Sequence, residues 1–105
     1  MMYKTYDGHT VKVDARLKRM PSAQCGVIFA EDGTIHFVSY TTRVCSIDPD
    51  GWLECTGTYS PTTRKQIGRF LSEYAPNLCY YDAKYCYENN VRMNINTGEI
   101  VDLPA

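Results

Sequence analysis

The sequence is short of most features that would name a chemistry. Its five cysteines, Cys25, Cys45, Cys55, Cys79 and Cys86, contain no C-x2-C pair, whereas structural zinc sites usually bring their ligands in such close pairs. An odd number of thiols at irregular spacing also argues against a secreted disulfide framework. There is no glycine-rich phosphate loop and no EF-hand loop. No run approaches the roughly 18 apolar residues of a membrane span, and Met1 to Asp7 lack the apolar core of a signal peptide. A cytoplasmic protein without membrane contact is therefore expected. An excess of charge is missing too: 11 Lys and Arg stand against 12 Asp and Glu, a formal net charge of −1. Phosphate-driven binding favours a basic chain and global mimicry of DNA an acidic one, so neither describes the molecule as a whole. A local patch of either sign remains open.

What is present suits a single domain, residues 1–105, large enough for one core and too small for two. The 44% hydrophobic and 22% charged residues place it among globular proteins. Nine tyrosines stand out, and Tyr80, Tyr81, Tyr85 and Tyr87 fall together. A large apolar ring with a polar tip serves both the margin of a small core and a protein-binding surface.

The most legible stretch runs from Tyr59 to Pro76. Ser60 can cap a first turn, Pro61 loses no hydrogen bond at the first helical position, and Pro76 pushes its predecessor out of the helical region. Ile67, Phe70, Leu71 and Tyr74 recur at the spacing of one apolar stripe. Arg64, Lys65, Gln66, Arg69, Ser72 and Glu73 take the polar positions, which predicts an amphipathic helix over about 61–75. Such a helix needs a sheet or a second helix to cover its stripe.

Before it, Thr10 to Ala15 alternate with period two and predict a half-buried strand with Val11, Val13 and Ala15 inward. Residues 26–30 and 34–40 flank Glu31-Asp32-Gly33 as a hairpin. A second hairpin, 42–47 with 52–56, is joined through Asp48-Pro49-Asp50-Gly51. Links this short imply an antiparallel meander. After Pro76, a shorter helix is expected near 79–88 with Cys79, Ala83 and Cys86 on one side and Asn89-Asn90 as its stop. A last hairpin joins 92–96 to 99–102. The fold class is α+β: an antiparallel meander of about four to six strands packed against one long helix and a shorter second one.

Candidate chemistry is sparse. Cys79 and Cys86 are roughly 10 Å apart along a helix, too far to share an ion, and Cys45 meets Cys55 only if the hairpin register aligns them. Core packing explains the thiols better, so no metal and no cofactor are expected. A cysteine could in principle meet His36, but a mid-strand histidine is commonly a structural one; no enzyme is expected. Asp48 and Asp50 are explained by their turn. The basic loop Arg16 to Pro21 reads as a solvated connection, with a contact to phosphates or to an acidic partner as the alternative. The best functional surface is the exposed flank of the long helix, where Thr62, Thr63, Arg64, Lys65 and Arg69 adjoin an aromatic-rich segment. Arg64, Lys65, Arg69, Tyr80, Tyr81 and Tyr85 are the candidate partner-binding residues. Basic residues interleaved with aromatics suit single-stranded nucleic acid, and arginine with tyrosine suits a protein interface. An ordinary solvated helix face is the competing reading.

From Phe37 to Leu103 the chain resembles small uncharacterised proteins encoded on phages and plasmids of Gram-positive gut bacteria. The resemblance rests on Val38-Ser39-Tyr40-Thr41, Ile47-Asp48 with Asp50-Gly51-Trp52-Leu53, and Gly57-Thr58-Tyr59-Ser60 with Thr62-Thr63. It continues through Ile67-Gly68, Phe70-Leu71, Glu73-Tyr74-Ala75-Pro76 and Asn94-Ile95-Asn96-Thr97-Gly98-Glu99. It implies an accessory protein of a mobile genetic element, which would place the expected cytoplasmic location in the bacterial host; the tyrosine-rich surface, which also suits self-association, leaves monomer and homodimer both open. Proteins of this size and origin include the anti-CRISPR proteins, which mostly inhibit by binding. The resemblance thus implies a stoichiometric inhibitor that docks on Cas9 or its guide-RNA complex and blocks DNA binding or cleavage. A small nucleic-acid-binding accessory protein of the phage or plasmid is the alternative.

Overall fold

The computed structural model describes residues 1–57 and 60–104; Thr58 and Tyr59, part of the stretches quoted above, and Ala105 lie outside the described residues. The elements are β1 (Met2–Lys4), β2 (Thr10–Lys12), β3 (Cys25–Phe29), β4 (Ile35–Ser39), β5 (Thr42–Ile47), β6 (Trp52–Cys55), α1 (Pro61–Tyr74), α2 (Tyr80–Asn89), β7 (Val91–Asn94) and β8 (Ile100–Asp102). β1 and β2 form a small hairpin, and β3 to β8 form a six-stranded antiparallel sheet in sequence order. The fold is α+β. Among the described residues no helix is long and apolar enough to cross a membrane.

Alternation along the strands gives the sheet one apolar face. Cys25, Val27, Phe37, Cys45, Ile47, Leu53, Cys55, Val91 and Met93 are buried, while His36, Ser46 and Glu54 lie side by side on the opposite face. The pairing of β4 with β5 slips between Phe37↔Cys45 and Val38↔Arg43. Val44 is the extra residue of this bulge, so Val44 and Cys45 are buried consecutively, as a bulge permits and strict alternation does not. The register also answers the question of the two thiols: Cys45 opposes Cys55, with their sulfurs 3.4 Å apart. That hydrogen bond and burial hold the Cys45 thiol well above its ordinary pKa.

The long helix forms as its sequence predicts, over Pro61–Tyr74. The Ser60 hydroxyl accepts the Thr63 N–H, Pro61 occupies the first turn, and the helix ends at Tyr74 with Ala75 as its cap. Ile67, Phe70 and Leu71 are fully buried, and the Phe70 ring stacks on Phe37 with centroids 4.6 Å apart. Thr63 and Gln66, read as solvent-facing, are buried as well. Ser39, at the inward end of β4, donates to Gln66 Oε1 at 2.5 Å and lies 3.2 Å from Thr63 Oγ1. This polar cluster extends the buried face of α1 beyond its apolar stripe, because the Ser39 and Thr63 hydroxyls and the Gln66 side-chain oxygen find partners.

α2 spans 80–89 rather than 79–88, and Cys79 is its exposed N-cap instead of a member of the buried side. Asp82 accepts the Cys79 N–H at 2.8 Å, which caps the first turn. Ala83 and Cys86 are buried as expected, and Asn90 takes the left-handed conformation that ends the helix. The strand expected over 10–15 is shorter. β2 stops at Lys12, and Ala15 forms a single bridge to Val27. β1 was not foreseen; its three residues pair with β2 around the Asp7-Gly8-His9 turn. Val13 lies so close to β3 that a Cβ on Gly26 would sit 2.8 Å from its side chain, so only glycine admits this contact.

Phe70 carries the joint between helix and sheet. Phe70→Ala is expected to destabilise the chain by about 3–5 kcal/mol in a denaturant titration. Burial pushes the Cys25 thiol from 9.0 up to about 12, and burial with the neighbouring Cys55 pushes Cys86 up to about 11. Both are neutral in the fold, so their contribution is complete below the unfolded value of 9.0 and is lost as pH rises through the folded values. The thermal midpoint should therefore decline from pH 9.0 toward pH 12, and the Cys25→Ala/Cys86→Ala variant should show a shallower decline over that interval.

Candidate functional site

Two helices on one face of a sheet leave a valley between them, and here the valley is lined by charge. Arg64, Lys65, Gly68 and Arg69 of α1 face Tyr80, Tyr81 and Lys84 of α2 across an open groove of about 630 Å³. The origin of each wall is local. The buried stripe of α1 turns Arg64, Lys65 and Arg69 outward. Burial of Ala83 and Cys86 turns Tyr81 and Lys84 of α2 toward the rim. Tyr80 and Tyr81 lie ring edge to ring face, with centroids 5.6 Å apart; Tyr80 is half-buried against the core and Tyr81 is 72% exposed.

Four cations line the groove and no carboxylate does. Among the described residues no Lys or Arg lies within ion-pair distance of a carboxylate; the one such contact, at 3.9 Å, is between His9 and Asp7 on the N-terminal hairpin. The groove cations are thus held near one another with no carboxylate within ion-pair distance, in a chain whose net charge is −1. Like charges brought together repel, and solvent screens this only in part. An anion in the groove would relieve the repulsion.

Five of the six residues singled out from the sequence, Arg64, Lys65, Arg69, Tyr80 and Tyr81, meet in this groove. Tyr85 does not line it; it stands one turn beyond Tyr81, exposed on α2. Thr63 drops out of the basic flank because it is buried against Ser39. Two residues were missed. Lys84 sits one turn after Tyr80 and Tyr81, so the helical period of α2 could have found it. Gly68 was visible as a glycine inside a helix, where it costs about 0.5–1 kcal/mol relative to alanine. No packing demands it, since a Cβ there would meet nothing within 4 Å. It lies among the residues that line the groove.

The outer face of the sheet carries a second, smaller hollow of about 210 Å³ with His36, Arg43, Ser46, Trp52 and Glu54 among its walls. His36 meets Ser46 there, Nδ1 to Oγ at 2.9 Å, not a cysteine, because Cys45 and Cys55 point to the opposite face. Asp48 is occupied by the N–H groups of Asp50 and Trp52 at 3.0 and 2.9 Å, which is turn chemistry. Among the described residues no three His, Cys, Asp or Glu side chains assemble as a metal site.

The architecture is a meander covered by two helices, with a valley lined by four cations between them. The model of a family of unknown function, DUF8033, matches residues 11–90, and the chain belongs to that family. The matched span contains both helices and the whole groove. No curated protein and no solved structure matches the chain.

Because Gly68 is free of packing constraints, Gly68→Ala should raise stability by about 0.5–1 kcal/mol, read as a shift of the denaturant midpoint. A loss of stability would mean that the groove floor is packed after all.

Proposed function

We propose that this chain is a non-catalytic binding protein, an accessory of a mobile genetic element, whose working face is the α1–α2 groove, and that the groove takes a single strand of nucleic acid. The observation that carries this reading is the meeting of Arg64, Lys65, Arg69 and Lys84 with Tyr80 and Tyr81 around one open groove without a carboxylate. Cations track a phosphate backbone, and tyrosine rings offer faces on which bases stack. The floor at Gly68 lets a backbone approach closely.

A second reading draws on the likeness to phage and plasmid proteins, among whose kind are anti-CRISPR inhibitors. Its structural support is the pair of exposed rings Tyr81 and Tyr85, one turn apart on the same side of α2, since tyrosine next to arginine suits a protein interface. In that reading the chain docks on Cas9 or its guide-RNA complex and blocks DNA binding or cleavage.

Salt separates the two. Four cations releasing counterions from single-stranded nucleic acid give a log–log salt slope of about −3, or roughly fifty-fold weaker binding between about 50 and 200 mM salt. Fluorescence anisotropy of a labelled oligonucleotide measures this, and Arg69→Ala should reduce the slope by about 0.7. Gly68→Leu, which fills the floor while keeping the helix, should weaken binding without unfolding the chain. Salt-insensitive capture of guide-loaded Cas9 with stoichiometric loss of cleavage, and no oligonucleotide binding, would favour the inhibitor instead.

A further inference from the structure

Arg69 belongs to two hollows. One is the groove; the other, of about 140 Å³, is lined by Lys18, Arg19, Arg69, Ser72 and Glu73. On the nucleic-acid reading above, on which this rests, we infer that the binding track continues over Arg69 onto the loop at residues 16–20, so that the site takes a strand several nucleotides long rather than a single nucleotide or phosphate.

The loop is built to hold its cations in place. Arg16 donates to the carbonyls of Pro21, Ala23 and Met2 at 2.9, 3.1 and 3.2 Å, and its guanidinium lies over the Tyr3 ring at 5.5 Å. Leu17 is buried in the core. The Lys18 backbone N–H donates to Glu73 Oε1 at 2.8 Å, which clips the loop to α1. With Arg16 and Leu17 tied down, Lys18 and Arg19 remain exposed beside the C-terminal half of the helix. The hollow then has three cations against one carboxylate, and one oxygen of that carboxylate is engaged by the loop backbone.

The two hollows lie along α1 in series. Lys65 and Glu73 are eight residues apart, about 12 Å at 1.5 Å per residue, with Arg69 midway. A strand entering beside Arg64, Lys65 and Lys84 reaches Lys18 and Arg19 by way of Arg69. Those two are the loop cations that composition alone read as a solvated connection.

The test is anisotropy with oligo-dT and oligo-rU of increasing length, run side by side on the wild-type chain and on Lys18→Ala/Arg19→Ala. Both replaced side chains are exposed, and Lys18 holds Glu73 through its backbone, so the thermal midpoint should not move. Affinity of the wild type should rise with length beyond the shortest oligonucleotide that fills the groove. The double variant should keep the affinity for that shortest one, lose the gain with length, and show a salt slope smaller by about 1.4. Glu73→Gln keeps the acceptor for the Lys18 N–H and removes the negative charge; it should tighten binding of long oligonucleotides only. A length dependence that Lys18→Ala/Arg19→Ala leaves intact overturns the extension and spares the groove. No binding of any oligonucleotide by the wild type at low salt overturns the nucleic-acid reading itself. The comparison of dT with rU tells which sugar the track accepts, and either one supports it.

Discussion

The pairing of β6 with β7 is the constraint from which the rest follows. Trp52 opposes Asn94 and Leu53 opposes Met93, so the end at which β6 stops is the end at which β7 starts. All chain between Cys55 and Val91 must leave the sheet and return to the same place. A helix out and a helix back is the simplest structure that does this, and the apolar face of the sheet supplies what both helices need to bury. Phe70 on Phe37 and Ala83 with Cys86 in the common core bind the excursion down. The groove is the seam that two cylinders leave where they lie side by side on a surface.

Much of this was legible from residue order. α1 announced itself through Ser60, Pro61 and the Ile67, Phe70, Leu71 spacing, and both central hairpins through their glycine turns. What escaped shares a cause: it depended on a partner distant in sequence. Gln66 looks like a surface residue until Ser39 is brought beneath it. β1 has three residues and no pattern of its own, and exists because β2 pairs with it. The extra residue Val44 shows only in the register of two strands. The site was legible to the same degree. Its α1 residues and Tyr80 and Tyr81 could be picked by type, but that they meet, with Lys84 and over Gly68, is a product of how the helices pack.

Near-neutral composition proved a poor guide to the surface. Cations collect along the seam and the adjoining loop, whereas the outer face of the sheet interleaves Arg43, Glu54 and Arg92, the last over the Trp52 ring at 5.0 Å. On the nucleic-acid reading, a chain of net charge −1 would have little long-range pull on a polyanion and would rely on the near contacts along the groove, since screening removes the far field. Recognition would then begin at contact distance rather than by steering.

The single bridge between Ala15 and Val27 bears on a different matter. An open sheet ends in two strands with unpaired backbone groups, which invite strands from other molecules. At the β3 border, Asp14 and Ala15 donate to the Val27 carbonyl and Val27 donates back to Ala15, while the Asp14 carboxylate takes the Phe29 N–H. The β8 border is three residues long, carries Asp102, and is followed by Pro104, which has no N–H to offer. Each margin is thereby blunted, so chains crowded together during synthesis find no ready template for strand exchange or fibril growth.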